Sequence, residues 1–382
     1  MNKIVILWIL FLFLTFPFSP FVFFIATVFT LIFLPLHDYP FLRPLLLIFG
    51  AFSQLFIFYS IDFSASTIID YRVYSEANEI IKSMSLSEVF YEPFGIEFGW
   101  GLIYWILNKI GIEINGVSVS YYNSIICIML FITWFEKYGL KDIDKKYHGL
   151  VSASTLIFLS FFTITFLQRQ AISVAILLFA ISNQNNRKFY FFLLISSLFH
   201  ITSLIVGILY KYISKINFTP RRIFYFMVCI LIFRLFFRQV ILFLDQFSFL
   251  TYKTSFYLSL TSFEIVSFRL ALYSVMLFVI VLIFGKNINS QFKNIIYFTS
   301  ICSVSLLGIN LASERLNFIL IYLYGYFLFL ILYRKHLNLL IFLNVIFLII
   351  FAIEKSSLIN ETANHWVLYP PLSNVPFYFL FN

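Results

Sequence analysis

The sequence predicts an all-α polytopic membrane protein, and three observations predict it. Hydrophobic residues make up 62% of the 382 residues and charged residues only 11%, against about 45–50% and about 25% in soluble domains. Mean hydropathy is +0.96. The basic residues stand in short clusters between long apolar runs. A soluble fold of this size needs far more polar surface than this composition supplies, so the surplus apolar surface needs lipid. Spanning segments of about 20 residues allow roughly 11–13 transmembrane helices. They form a single transmembrane domain over 1–382, with no stretch polar enough for a separate soluble domain. The net charge of +9 would suggest nucleic acid in a soluble protein. Here it sits in the inter-helix clusters and reads as topology, with no nucleic-acid partner.

Along the chain, apolar segments cover 4–16 and 18–35, parted by Pro17 and Pro20, which cannot continue a helix interior. The first follows Met1-Asn2-Lys3 without a small-residue cleavage site and reads as an uncleaved helix. Segment 44–61 follows, then the longest polar stretch, 62–116. Further segments cover 117–135, 150–166, 171–182, 189–213, 223–244, 270–284, 295–311, 316–332 and 337–353, and a polar tail, 354–382, ends the chain. Cys127, Cys229 and Cys302 all lie in apolar runs, so neither a disulfide framework nor a metal site is expected.

Lysine and arginine in the loops orient the bundle. With the N-terminus inside and 62–116 outside, the clusters Lys137–Lys141–Lys145–Lys146, Arg187–Lys188, Lys211–Lys215–Arg221–Arg222, Lys286–Lys293 and Arg334–Lys335 fall inside. Most acids fall outside, and so does the tail. The alternation holds only if 96–112 does not span. That segment mixes Glu97, Asn108 and Lys109 with Trp100, Tyr104 and Trp105, and is predicted as an amphipathic helix at the outer interface.

The cations that topology leaves unexplained are Arg72, Arg169, Arg234, Arg238, Arg269 and Arg315. Charge inside a membrane is costly and usually functional, although an arginine near a helix end can also snorkel. Arg234 and Arg238 are four apart and share one helical face. Arg169 and Gln170 open a helix between two apolar segments, where free N–H groups and a forked guanidinium suit a phosphate. His200 interrupts 189–213. Arg187–Lys188 and Lys211–Lys215 both belong inside, so this segment is predicted as two half-helices meeting at His200. Broken backbone at membrane depth is tolerated only against protein or a water-filled cavity, which places His200 in one. Asp142-Ile143-Asp144 lies in a lysine-rich loop and reads as solvated charge.

Four motifs resemble the EpsG-type polysaccharide polymerases, related to the Wzy O-antigen polymerase family. Asp70-Tyr71-Arg72-Val73-Tyr74 is similar to the family's Asp-Tyr-x-x-Tyr. Glu97-Phe98-Gly99-Trp100 resembles its Glu-x-Gly-aromatic helix, and Arg169-Gln170-Ala171-Ile172-Ser173 its Arg-Gln-x-Ile-Ala. His200-Ile201-Thr202-Ser203 resembles its His-x-Ser-Ala, with one extra residue before the serine. The resemblance spans 70–203, and Arg315 ahead of Tyr322 and Tyr324 continues it.

The resemblance implies a glycosyltransferase of the bacterial cytoplasmic (inner) membrane. Such an enzyme joins oligosaccharide repeat units carried on undecaprenyl diphosphate at the outer face. A flippase and a chain-length regulator of the same pathway are the partners it implies. Catalytic roles then go to Arg169, His200 and Arg315. Substrate contacts go to Asp70, Tyr71, Tyr74, Glu97, Trp100, Gln170, Arg234, Arg238 and Arg269. Arginine supplies the positive charge a departing diphosphate requires, so neither a metal nor a cofactor is needed. His200 is a candidate base, and Asp70 or Glu97 could serve instead. A flippase or other transporter, an O-antigen ligase and a membrane acyltransferase are the competing readings.

Overall fold

The structure, a computed structural model, describes residues 3–39, 41–60, 69–92, 94–114, 116–159, 161–216, 218–244, 265–306, 312–355 and 368–380. Among them the secondary structure is helical, with no strand. Among the described residues, three helices are long and apolar enough to cross a membrane: Leu42–Tyr59, Ser118–Gly139 and Leu337–Lys355. Six further apolar helices are shorter. Large apolar side chains such as Leu7, Leu14, Phe224, Leu235, Phe342 and Ile349 stand exposed. Such a surface is a liability in water and the expected condition in lipid. The chain is an all-α membrane protein.

It divides into two compact units, 1–207 with 338–382, and 208–337. In the first, α1 (Lys3–Thr15), α2 (Pro20–Phe33) and α3 (Leu42–Tyr59) are followed by α4 (Ile69–Ser83), α5 (Leu86–Val89) and α6 (Gly99–Lys109). Then come α7 (Val117–Trp134), α8 (His148–Phe158), α9 (Phe161–Phe166), α10 (Gln168–Ser182), α11 (Asn186–Phe199) and the first half of α12 (Thr202–Ile213), whose second half, from Ile208 on, belongs to the other unit. Pro20 stands at the start of α2, where Ser19 caps the helix by accepting from the Val22 N–H at 3.0 Å. Its fixed φ suits that position, and its missing N–H costs nothing there.

Ion pairing sets the direction of α3 against α7. Arg43, at the start of α3, donates through Nη1 to Glu136 Oε1 at 2.7 Å and to Ser152 of α8 at 3.3 Å. Glu136 lies just past the end of α7. At the other end of α3, Phe56 and Tyr59 pack on Tyr121 of α7 with ring centroids 6.0 and 5.6 Å apart. The two helices are therefore antiparallel, and their 18 residues each separate two ends by about 27 Å. The basic loop 137–146 lies at the Arg43–Glu136 end. Trp134 donates to Ser182 at 2.8 Å, which brings the end of α10 there too, followed by Arg187 and Lys188. Helices α4 to α6 connect the opposite end of α3 to the start of α7, so they sit at the far end.

Within 62–116, the described residues 69–92 and 94–114 are largely helical and packed together. Asn78 of α4 is fully buried; it donates to the Ile114 carbonyl at 2.9 Å and accepts from Asn108 of α6 at 3.1 Å. Ser85 and Glu88 form a capping box on α5, and the Ser85 N–H holds the Glu88 carboxyl below its ordinary range. At 11 residues, α6 is about 17 Å long, too short to cross. Its two faces differ: Trp100 and Tyr104 are fully buried and face inward, whereas Ile106 and, just past its end, Ile110 are exposed.

Two segments that hydropathy reads as continuous are divided. Segment 150–166 is α8 and α9, and segment 189–213 breaks between α11 and α12 at His200 and Ile201, as the charge alternation predicts. Helix α8 crosses α2 closely at Gly149, where a Cβ would come within 2.5 Å of the Leu31 carbonyl oxygen. Gly149→Ala must push two backbones apart. It is expected to cost about 1–3 kcal/mol, read as a lowered Tm in detergent.

The second unit contains α13 (Pro220–Leu244), α14 (Ile265–Phe284), α15 (Ser290–Ser305) and α16 (Ala312–Leu332), while α17 (Leu337–Lys355) belongs with the first. Asn294 of α15 donates to the carbonyls of Ile213, Ser214 and Ile216 at 3.2, 3.3 and 2.5 Å. These close off carbonyls that the end of α12 would otherwise leave open.

Candidate active site

Four stretches of chain meet at the far end of the first unit: Tyr74 on α4, the turn before α6, the first turn of α10, and the break between α11 and α12. The turn Gly95–Glu97 is a short 3-10 helix, and Gly95 has φ +59, a backbone state glycine adopts without penalty. Two residues on from Glu97, a Cβ at Gly99 would lie 3.0 Å from the Leu198 carbonyl oxygen. Glycine there lets α6 approach the end of α11, which carries Glu97 to the break.

At the break, His200 is extended (φ −156, ψ 115) and its own N–H still bonds the Ser196 carbonyl at 3.1 Å. The next N–H, of Ile201, opens α12 and donates to Glu97 Oε1 at 3.0 Å. The same oxygen faces His200 Nδ1 at 3.1 Å, and Glu97 Oε2 accepts from Arg169 Nη1 at 2.6 Å. Arg169 also donates from Nε to the Tyr74 hydroxyl at 3.4 Å, and its guanidinium lies 4.0 Å from the Phe94 ring centroid. The Glu97 side chain is 0% exposed, that of His200 7% and that of Arg169 22%. A buried carboxylate would be costly alone; here a guanidinium, a ring nitrogen and a backbone N–H surround it. Of the three side chains, only Arg169 offers an approaching ligand appreciable surface.

Polar contacts behind the cluster hold it. Trp100 donates to Gln168 Oε1 at 3.3 Å, and Gln168 Nε2 donates to Ser120 of α7 at 2.6 Å. Ser173 of α10 donates to the Ser196 carbonyl at 2.8 Å and bonds Ser203. The serines of the two motifs thus fasten both half-helices to α10. Among the described residues no group of His, Cys, Asp and Glu is arranged to hold a metal ion.

The structure brings together Tyr74, Glu97, Trp100, Arg169 and His200. Gln170 follows Arg169, buried on α10. Trp100, expected among the substrate contacts, has no exposed surface in this structure. It is fully buried and stacked on Tyr104 with centroids 4.1 Å apart, so it packs and positions Gln168. Arg72 is exposed and pairs with Glu76 one turn on, at 2.7 Å. Arg234 is exposed in the second unit and donates to the Ser305 carbonyl at 3.5 Å. The side chains of Asp70, Tyr71, Arg238, Arg269 and Arg315 lie outside the described part, although their backbones fall in α4, α13, α14 and α16. Sequence reasoning missed Phe94, Gln168 and the Ile201 N–H. Gln168, polar beside Arg169 between apolar runs, could have been picked out; nothing marked Phe94.

A helical membrane protein with a carboxylate, a guanidinium and an imidazole locked together at one end of its bundle is what fold and site define. The chain belongs to the EpsG family, whose profile matches residues 47–369. No curated protein and no solved structure is similar enough to be matched. The matched stretch contains all four segments of the cluster. Membership implies a polysaccharide polymerase, an activity of the glycosyltransferase kind carried out in the membrane.

Proposed function

We propose that this chain is a relative of the Wzy O-antigen polymerases and elongates a bacterial surface polysaccharide. It would join oligosaccharide units carried on undecaprenyl diphosphate at the outer face of the cytoplasmic membrane. The observation that carries this reading is the Glu97–Arg169–His200 cluster, set at the bundle end opposite the basic loop 137–146 and Arg187–Lys188. Basic loops favour the cytoplasmic side, which supports an outer-face position for the cluster. A flippase and a chain-length regulator of the same pathway are the proposed partners.

In this mechanism the diphosphate of the donor meets Arg169. The acceptor hydroxyl oxygen bonds the anomeric carbon and gives its proton to His200 Nε2, an atom buried in this structure, so the acceptor must part the break to reach it. The bond from the anomeric carbon to the diphosphate oxygen breaks, and the diphosphate leaves with the electron pair. Arg169 offsets the charge that develops on it. A general base of this kind contributes about 10²–10⁴-fold, so His200→Ala is expected to slow elongation by that factor while the protein still inserts. Full activity in the His200→Ala protein would remove His200 from the mechanism.

The reading is tested with purified protein in lipid discs and a synthetic polyprenyl-diphosphate oligosaccharide. A ladder of longer chains is expected. In cells lacking the gene, single lipid-linked units should accumulate on the outer leaflet; accumulation on the inner leaflet would indicate transport instead and overturn the proposal.

A further inference from the structure

The geometry points to Glu97 as the positioning residue of this site: it fixes the tautomer of His200 and its place beside Arg169, and touches no substrate itself. The inference rests on the polymerase reading for what the imidazole does, but not for which nitrogen holds the proton. Both Glu97 oxygens are already engaged, Oε1 by His200 Nδ1 and the Ile201 N–H and Oε2 by Arg169, and the side chain is 0% exposed, so it has no open face for a sugar and no oxygen left over for a proton. Direct roles as substrate ligand or base therefore fall away. What remains is its effect on its neighbours.

An ionised carboxylate only accepts hydrogen bonds, and Glu97 stands against a guanidinium, which stays charged in proteins. His200 Nδ1, 3.1 Å from Glu97 Oε1, must therefore be the donor. In a neutral imidazole a proton on Nδ1 leaves the lone pair on Nε2. The Ile201 N–H bonds the same oxygen at 3.0 Å, so the carboxylate is tied to the backbone of the break as well as to the ring. The other oxygen holds Arg169 at 2.6 Å. One side chain therefore sets base and cation in a fixed relation, and it does so across the point where the helix is broken.

An amide in its place, as in Glu97→Gln, reverses the hydrogen bonding. A guanidinium only donates and, being charged, has the stronger claim on the single amide oxygen; the amide NH₂ then faces His200, and the Ile201 N–H loses its acceptor. His200 Nδ1 then has to accept, and the proton moves to Nε2, where it blocks the base. The same carboxylate-to-amide exchange in a hydroxyl-activating triad costs about 10⁴ in kcat.

The experiment is ¹⁵N NMR of histidine-labelled full-length protein in lipid discs. The chain has five histidines, and the signal missing from His200→Asn identifies the ring. The wild-type protein should carry the proton on Nδ1, and Glu97→Gln should move it to Nε2. In parallel, kcat should fall by no more than His200→Ala loses, about 10²–10⁴-fold, with KM for the lipid-linked unit little changed. Glu97→Asp keeps the charge; it should keep the Nδ1–H signal and recover part of the rate. A wild-type ring protonated on Nε2, or the same tautomer in wild type and Glu97→Gln, overturns the inference. Should Glu97→Gln fail to accumulate, the wild-type and Glu97→Asp spectra decide. Absence of elongation by the wild-type protein, with the tautomers as expected, would instead sink the polymerase reading and leave this one standing.

Discussion

Arg169→Ala is expected to stop polymer formation and to weaken the fold, for two separable reasons. The first is chemical. A cationic group aimed at a departing phosphate is worth about 10²–10³ in rate, and Arg169 is the most exposed member of the cluster. The second is structural. Removing the guanidinium takes from the Glu97 carboxylate, 0% exposed, the cation bonded to its Oε2. Breaking one side of a buried ion pair costs about 3–5 kcal/mol, a large share of a domain's stability of about 5–15 kcal/mol. A lost polymer ladder alone would not tell the two effects apart. The double variant Arg169→Ala with Glu97→Gln does, because it removes the stranded charge together with its partner. It should regain most of the Tm in detergent and none of the elongation. Arg169→Lys keeps the charge but not the planar fork, and should fall between. Normal chain length in Arg169→Ala would end the assignment. Failure of the double variant to regain stability would show that the pair is not what the fold depends on.

How the cluster forms explains why only its parts were legible in the sequence. Arg169 and His200 stand out singly, because a cation and an imidazole interrupting apolar runs are costly in a membrane. The break at His200 was legible from charge alone, since Arg187–Lys188 and Lys211–Lys215 compete for one side. Glu97 was marked only by its motif, and its partners are 72 and 103 residues away in sequence. Nothing local predicts that meeting. It depends on Gly99 allowing one backbone to reach another, which hydropathy does not register. The burial of Trp100 was not legible for a related reason. Tryptophan is favoured both at membrane interfaces and in packed interiors, and only its neighbours distinguish the two. The unexplained arginines likewise divide by context: Arg72 pairs one turn along its own helix, whereas Arg169 pairs across the fold.

The chain's last segment leads to the second large effect. Its polar composition reads as an extracytoplasmic tail, but residues 368–380 are docked on the first unit. Tyr369, Tyr378 and Phe379 are buried against Phe56, with Phe16, Phe52 and Tyr121 around them. The backbone is tied down as well: the Leu368 N–H donates to the Ser60 carbonyl at 3.0 Å, and the Phe377 N–H to the Pro17 carbonyl at 2.8 Å. Ser19, the cap of α2, donates to the Pro371 carbonyl at 2.7 Å. The segment therefore joins the α1–α2 turn and the end of α3 beside the start of α7. Phe379 lies at its centre, with ring centroids 4.7 Å from Phe56 and 5.8 Å from Phe16. Phe379→Ala is expected to cost about 3–5 kcal/mol, seen as a clear drop in Tm. Phe377 is the contrasting control: it is exposed and held at φ 58, a left-handed state that costs a non-glycine residue about 1–3 kcal/mol. Phe377→Gly should therefore leave the Tm unchanged or raise it. If both variants melt alike, packing of the tail is not what holds this end together. The consequence for activity runs through α7. Tyr121 borders the aromatic cluster and Ser120 holds Gln168, the residue before Arg169. Loosening the tail should thus slow elongation as well, though by less than removing Arg169, because it blurs the position of the guanidinium without removing it.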